Sequence, residues 1–463
     1  MIRRQYWTVR DRTRTLLGRS SGVANRLIIA NASALMGTMI VTSGLGAFYW
    51  LLAARLFNPE AVGLAGTSIS TMTLLGTAGM LGLGTLLIGE LPRRPGEEGA
   101  LIATGLLVAG STGLVCSLSF ALIAPQISPN LGVLSDSPVH IVLFALGVSL
   151  TSLTMVLDQG LIALLHGGLQ LWRNAGFAIT KLLVLIGIAL WSGGGDWATI
   201  YWTWTIGNFL SLLGLVALGA RRGIWRDFRR LRPRWLLLRQ FGRSALGHHS
   251  LNMALQLPGL ALPVLVTSIL SATASAYYYV ASIVAGPFFY GTLALVTALY
   301  AVGTRSPAAL AQRLRFTLGV ALAAASVANL ALLGGADLFL GLFGGRYAAE
   351  AGLTLRILAL CTFPIIIKDH FVTLGRLRGR VAVTAVWVLA GALAELGFAA
   401  IGALAWGLPG LVLGWFAAQM VEAAVMTPTV YRAMRPDIPG GEGAQGGKDT
   451  PPRAIETIHV GQE

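Results

Sequence analysis

An all-α polytopic membrane protein, with about twelve spanning helices in two six-helix lobes, is the fold class this sequence predicts. Three observations predict it. The 463 residues are 55% hydrophobic and only 11% charged, with a mean hydropathy of +0.71, whereas soluble domains carry roughly 25% charged residues. The apolar residues gather in runs of about 20, the length at which a helix crosses a bilayer core. Last, the run from Arg221 to Arg243, RRGIWRDFRRLRPRWLLLRQFGR, holds nine arginines and one acid, Asp227. It divides the chain into Leu27–Ala220 and Ser244–Tyr431, each with room for about six spans.

These bounds exclude several classes. Spans take up so much of the chain that no loop can house a soluble catalytic domain. The formal charge of +15 reads as the positive-inside signal, with no nucleic-acid-reading motif beside it. Cys116 and Cys361 each sit within an apolar run, which indicates neither a disulfide framework nor a metal site. No cofactor is called for either. The GGKD of the tail lacks the spacing and the Ser/Thr of a phosphate-binding loop. The basic N-terminus is not followed closely by the short apolar core and cleavage site of a signal peptide.

Taken in order, residues 1–26 hold seven arginines with Trp7, Val9, Leu16 and Leu17 among them, as a helix on an anionic inner leaflet or a basic tail would. Spans are expected near Ala30–Leu56, Val62–Ile88, Leu101–Ile123, Ile141–Leu165, Phe177–Trp191 and Ala198–Leu218. After the central basic linker, residues 221–243, come Leu251–Leu270, Ala276–Val302, Phe316–Leu333, Leu353–Ile367, Val381–Ala405 and Leu408–Thr427. Asn58-Pro59 makes the first turn. Alternate loops carry the basic residues: Arg93 and Arg94, Arg173, the central run, Arg305, Arg313 and Arg315, then Arg376, Arg378 and Arg380. The loops between them carry almost none, with Arg55 and Arg346 the exceptions. Both termini are therefore expected in the cytoplasm. Tryptophans 172, 191, 197, 225, 235 and 406 fall near span ends, as interfacial aromatics do. The Gly- and Pro-rich tail, within 432–463, is expected to be disordered.

Ionisable groups inside spans point to function, because each costs about 2.5–3.5 kcal/mol at a helix centre and so faces a partner or a cavity. Asp158 and Lys181 lie about equally far from a hairpin centred in His166–Asn174, which predicts one depth and an ion pair, with Arg173 just below. The pair would either pin two helices or line a cavity. Lys368, Asp369 and His370 read first as a solvated helix end and second as a polar cluster. His248, His249, Asn252 and Gln256 follow one face of the seventh span without a metal-binding pattern. Gly44 and Gly46 in the first span, opposite Pro258, Gly259 and Pro263 in the seventh, are the expected hinges, since interrupted helices at matching places in two halves mark a transporter's site. Gly410 and Gly414 fit a helix-packing G-x-x-x-G.

Three stretches carry a resemblance. NASALMGTMIVTSGLGAFYWLLAARLFNPEAVGLAGTSISTMTLLGTAGMLGLGTLLIGELP, LDQGLIALLHGGLQLWRNAGFAITKLLVLIGIAL and GLFGGRYAAEAGLTLRILAL resemble the polysaccharide-biosynthesis, lipid-linked oligosaccharide flippases of the multidrug/oligosaccharidyl-lipid/polysaccharide (MOP) exporter superfamily. The resemblance implies two six-helix lobes in a V around a cavity that opens alternately to either side. It implies an undecaprenyl-pyrophosphate-linked oligosaccharide as substrate, a bacterial inner membrane as the site, and work beside a polysaccharide polymerase or glycosyltransferases, with membrane lipids as the surroundings. Lys181, Arg173, Arg55 and Lys368 are then the groups expected to meet its anionic parts.

Competing readings are a multidrug extruder of the same superfamily, using Asp158 and Glu395 on organic cations, and a lipid II flippase, a branch with fourteen rather than about twelve spans. From another class come a membrane-embedded glycosyltransferase or polymerase, which would want a large loop or a carboxylate cluster, and an interaction scaffold.

Overall fold

The computed structural model describes residues 42–192, 194–221, 236–303 and 310–435. The basic segment 1–26, the start of the first span, Arg222–Trp235 of the linker, Arg305 and the tail beyond Arg435 lie outside the described residues.

Every long element among the described residues is a helix. The first half contains α1 (42–56), α2 (Pro59–Gly79), α3 (Leu83–Glu90), α4 (Glu98–Ile127), α5 (Pro138–Ala163), α6 (Gly167–Ser192) and α7 (Trp197–Arg221). The second contains α8 (Leu236–Ile269), α9 (Ala272–Gly303), α10 (Leu310–Gly341), α11 (Gly345–Leu360), α12 (Thr362–Leu377) and α13 (Val381–Met434). Among the described residues ten stretches are long and apolar enough to cross a bilayer, so the chain is a multi-pass membrane protein.

Local chemistry sets the boundaries. Asn58 caps α2, its side-chain oxygen accepting from the Ala61 amide at 2.7 Å with Pro59 at the first helical position. Ser137 and Pro138 start α5 the same way, at 3.2 Å from the His140 amide. Two elements differ from the sequence reading. The expected span Val62–Ile88 is two helices, broken where Leu81 and Gly82 take φ of 48° and 76°, a left-handed conformation that costs a leucine energy and a glycine little. The expected Leu353–Ile367 is only the middle of a longer passage, α11 and α12, joined end to end at Cys361.

The expected spans Val381–Ala405 and Leu408–Thr427 are the two arms of α13, between which Trp406 and Gly407 leave helical geometry and the chain reverses. A Cβ on Gly402 would lie 2.0 Å from the Gly410 carbonyl oxygen, and one on Gly414 would lie 2.1 Å from that of Phe398. Both pairings centre on residue 406, so the two arms of α13 are an antiparallel hairpin whose backbones touch because these positions have no side chain. Exposed apolar side chains such as Leu122, Leu183 and Leu338 coat the outside, the surface a bilayer solvates. Of the tryptophans expected at interfaces, Trp172, Trp191 and Trp406 are exposed, while Trp197 is buried against His140 and Tyr201.

The connections at 57–58, 128–137, 194–196, 270–271, 341–344 and 406–407 gather at one end of the bundle, called the Asn58 end. The opposite end carries Arg221, Arg378 and Arg380.

Candidate functional site

Two buried charge centres, one in each half, lie near mid-depth. In the first half Lys181 sits 11 residues from Ser192, about 16 Å at 1.5 Å per residue. It is 4% exposed. Its ammonium lies 3.7 Å from the ring centre of Trp204, and 4.8 Å from those of Tyr49 and Phe177. Gly207 makes room, since a Cβ there would stand 3.2 Å from that of Lys181. No carboxylate pairs with Lys181 among the described residues. Each desolvated cation–π contact is worth about 2 kcal/mol at best, so three rings are enough to offset a mid-membrane cost of about 2.5–3.5 kcal/mol. The box holds an ammonium without neutralising it. Tyr49 is itself fixed by the Ile200 carbonyl at 3.2 Å and the Thr203 hydroxyl at 2.6 Å. Its neighbour Trp50 packs against Tyr279 of α9, ring centres 4.6 Å apart and planes inclined at 58°, which links the box to the other half.

The expected Asp158–Lys181 pair does not form. The chain turns at Leu164–His166, with Leu165 at φ 58°, several residues earlier than the hairpin centre read from the sequence. The residue level with Asp158 is therefore Arg173. Its Nε and Nη2 donate to the two carboxylate oxygens at 2.8 and 2.6 Å, and Asn174 adds a 3.1 Å bond. This bidentate, largely buried fork pins α5 to α6.

In the second half Lys368 is a correction as well. It is buried, not a solvated helix end, nine residues or about 13 Å from Leu377. Its ammonium lies 2.6 Å from Glu395 Oε1 and 2.9 Å from Glu422 Oε2. Trp415 Nε1 donates to the other oxygen of Glu395 at 2.6 Å. Gly391 creates the seat, because a Cβ there would fall 1.5 Å from Glu422 Oε1. That oxygen and Gln419 Oε1, one turn earlier on the same arm, are buried without a hydrogen-bond partner. Counted as ionised groups, two carboxylates around one ammonium leave one net negative charge. Lys368 is thus already neutralised, and it is no free anion-binding group. Nearby, Asp369 accepts from the Thr292 hydroxyl at 3.2 Å, and buried His370 lies 3.2 Å from the Thr317 hydroxyl.

Two other expected groups have structural partners. Arg55 donates to the Leu342 and Gly341 carbonyls at 2.8 and 3.0 Å, capping the end of α10. Asn252 accepts from Arg376 at 2.9 Å. The expected hinges are not breaks either. Gly44 and Gly46 lie inside α1, and Pro258, Gly259 and Pro263 lie inside α8. In the first half the interruption falls instead between α2 and α3, at Leu81 and Gly82.

The halves meet in a polar seam at the Asn58 end. The Thr67 hydroxyl lies 2.6 Å from that of Thr267 and 2.9 Å from that of Ser275, and donates to the Pro263 carbonyl at 3.2 Å. Asn130 reaches the Thr267 carbonyl at 3.0 Å and Ser128 that of Ser268 at 3.3 Å. Backbones touch here: a Cβ on Gly63 would lie 1.8 Å from the Ala272 carbonyl oxygen. Toward the Arg221 end α3 packs on α8 instead.

Neither a protein-family model nor a curated relative matches this sequence. Solved structures do match in fold. An inward-facing MATE-family multidrug resistance transporter of the MOP superfamily aligns with a TM-score of 0.64 at 13% identity, over 87% of this chain and 98% of that one. The lipid II flippase MurJ in an inward closed conformation gives 0.61 at 13%, over 87% of each chain. A MOP superfamily transporter from Pyrococcus furiosus, described by a binding pocket of reverse polarity that suggests a different function, gives 0.52 at 14%, over 88% of this chain and 95% of that one. The chain has the fold of MOP superfamily transporters and flippases.

Proposed function

We propose that this chain is a flippase that carries a lipid-linked oligosaccharide, joined through pyrophosphate to a polyprenyl tail, across a bacterial inner membrane by alternating access of two six-helix lobes. The ten long apolar helices become twelve when the α13 hairpin counts as two and α1 is added. Residues 27–220 and 244–431 then form the lobes, with the arginine run, both termini and the Arg221 end in the cytoplasm.

The observation that carries the reading is Lys181: a mid-depth ammonium held by aromatic faces and by no acid, one ring from the meeting of the halves. A pyrophosphate is a partner of the right charge, and charge-assisted bonds gain strength where water is excluded. The seam around Thr67 is the closed gate on the far side. Flipping of such a lipid in proteoliposomes, compared between the wild type and Lys181→Gln, tests it.

One observation favours a second reading, a cation-coupled extruder. The net negative charge of Lys368, Glu395 and Glu422 is one that a proton or monovalent cation would cancel. Export of cationic dyes from vesicles, abolished by Glu422→Gln, would establish that reading in place of the first.

A further inference from the structure

Away from both charge centres, a cleft of about 390 Å³ opens between α6 and α7 toward the Arg221 end, and Trp172, Arg173, Gly176, Gly214, Leu218 and Arg221 are among its walls. Several properties set it apart from an ordinary groove between packed helices. It lies on the bilayer-facing side, because Trp172 is 67% exposed and Leu210, Leu213 and Val216 beside it are exposed too. Arg221 places a cation at one end, Arg173 is paired with Asp158, and the rest of the lining is mostly apolar with Thr180 and Ser211 among it. Arg221 is the last residue of α7, at the membrane–water boundary where a spanning helix stops. Arg173 stands deeper, level with about Val216 or Ala217 across the α6–α7 connection, so the two backbone positions differ in depth by about 6–7 Å.

Arg173 also has an unused donor. Asp158 occupies Nε and Nη2, and Asn174 accepts a further 2.8 Å bond from Nη2, but Nη1 is buried with no hydrogen-bond partner. A buried donor left unmade costs about 1–3 kcal/mol, a cost that an occupant's acceptor oxygen removes once the Arg173 side chain turns Nη1 toward the cleft. The floor is open: a Cβ on Gly176 or on Gly214 would meet nothing within 4 Å. Gly176 and Gly214 both lie nearer the bilayer centre than Arg221, so the open floor runs inward from that cation.

We infer that this cleft is a binding site for an anionic phospholipid of the surrounding leaflet, its phosphodiester drawn by the charge of Arg221 with the spare Nη1–H donor of Arg173 beside it, and one acyl chain along Gly176 and Gly214. The charge pattern selects the occupant. A zwitterionic lipid brings its own cation toward Arg221, and a free phosphate has nothing to lay along the open floor. The site is independent of the transported substrate, since it lies on the outside of one half and shares no residue with the Lys181 box.

Two variants test it without touching the Arg173–Asp158 fork. Arg221→Gln removes the boundary charge, and Gly214→Leu fills the open floor. The full-length protein, purified and equilibrated with phosphatidylglycerol or phosphatidylcholine, is examined by native mass spectrometry for retained lipid, with inorganic phosphate as competitor in a parallel arm. Wild type is expected to retain phosphatidylglycerol over phosphatidylcholine, and phosphate not to displace it. Arg221→Gln should weaken retention about fivefold, the equivalent of ~1 kcal/mol for one cation at a membrane surface, and Gly214→Leu should abolish it, both with unchanged thermal unfolding in detergent. Equal retention of the two lipids, full displacement by phosphate, or retention in both variants equal to wild type would overturn the assignment.

Discussion

Lys181 and Lys368 show that two residues of the same type at similar depth do opposite things. Lys181 is held by the faces of Tyr49, Phe177 and Trp204 and meets no carboxylate among the described residues, whereas the charge of Lys368 is spent on Glu395 and Glu422. Lys368→Met should cost about 3–5 kcal/mol, the usual penalty for orphaning the other members of a buried ion cluster. The double variant Lys368→Met with Glu422→Gln should recover part of that loss. Thermal unfolding of the two singles and the double reads it out, and strict additivity would show that the groups do not interact. Gly391→Ala is expected to lower the same transition by about 1–3 kcal/mol, because the added methyl overlaps Glu422 Oε1. Wild-type stability in that variant would mean the carboxylate has another seat. The sequence shows that Lys181 and Lys368 are buried in apolar runs but not what they face. Glu395 is 27 residues from Lys368 and Glu422 is 54, and only the fold of α12 onto the α13 hairpin brings the three together.

Elements were legible wherever their signal is local. Asn58-Pro59 announces the start of α2, and the Gly410-x-x-x-Gly414 spacing announces the tight α13 hairpin. Register between helices is less visible, and Asp158 shows why: placing the turn a few residues late moves its partner from Arg173 to Lys181, two helical turns away. The break at Leu81–Gly82 was missed because glycine is common in membrane helices, and only backbone angles distinguish a packing glycine from a breaking one. Proline misled in the other direction. Pro258 and Pro263 stay within a continuous α8, and the Pro263 carbonyl serves the seam by accepting from Thr67 and Ser275. That seam makes its own prediction. Thr67→Val keeps the shape but removes a hydroxyl shared by α2, α8 and α9, so hydrogen-exchange protection should fall across residues 263–275 while α13 is unaffected. Unchanged protection there would mean the seam rests on the Gly63–Ala272 backbone contact alone.

At the scale of the whole molecule, composition and the placement of arginines were enough for a multi-pass helical protein, and the fold is that of MOP superfamily transporters despite identities of 13–14%. The proposed orientation is open to a direct check. Single cysteines at Gly194 and at Gly223 should differ in intact cells, the first labelled by an impermeant thiol reagent and the second not. The reverse pattern would invert the map.

The central claim is that the uncompensated ammonium of Lys181 serves an anionic lipid-linked sugar. Its most direct test is the rate at which purified protein, reconstituted into vesicles, moves a polyprenyl-pyrophosphate oligosaccharide between leaflets. Wild type should accelerate flipping over protein-free vesicles, and Lys181→Gln should slow it by about 10–100-fold, the worth of one charge-assisted bond of ~1.5–3 kcal/mol, while the variant unfolds at the wild-type temperature. Undiminished flipping by Lys181→Gln, or a wild type that moves no such lipid yet exports cationic dyes, would contradict it.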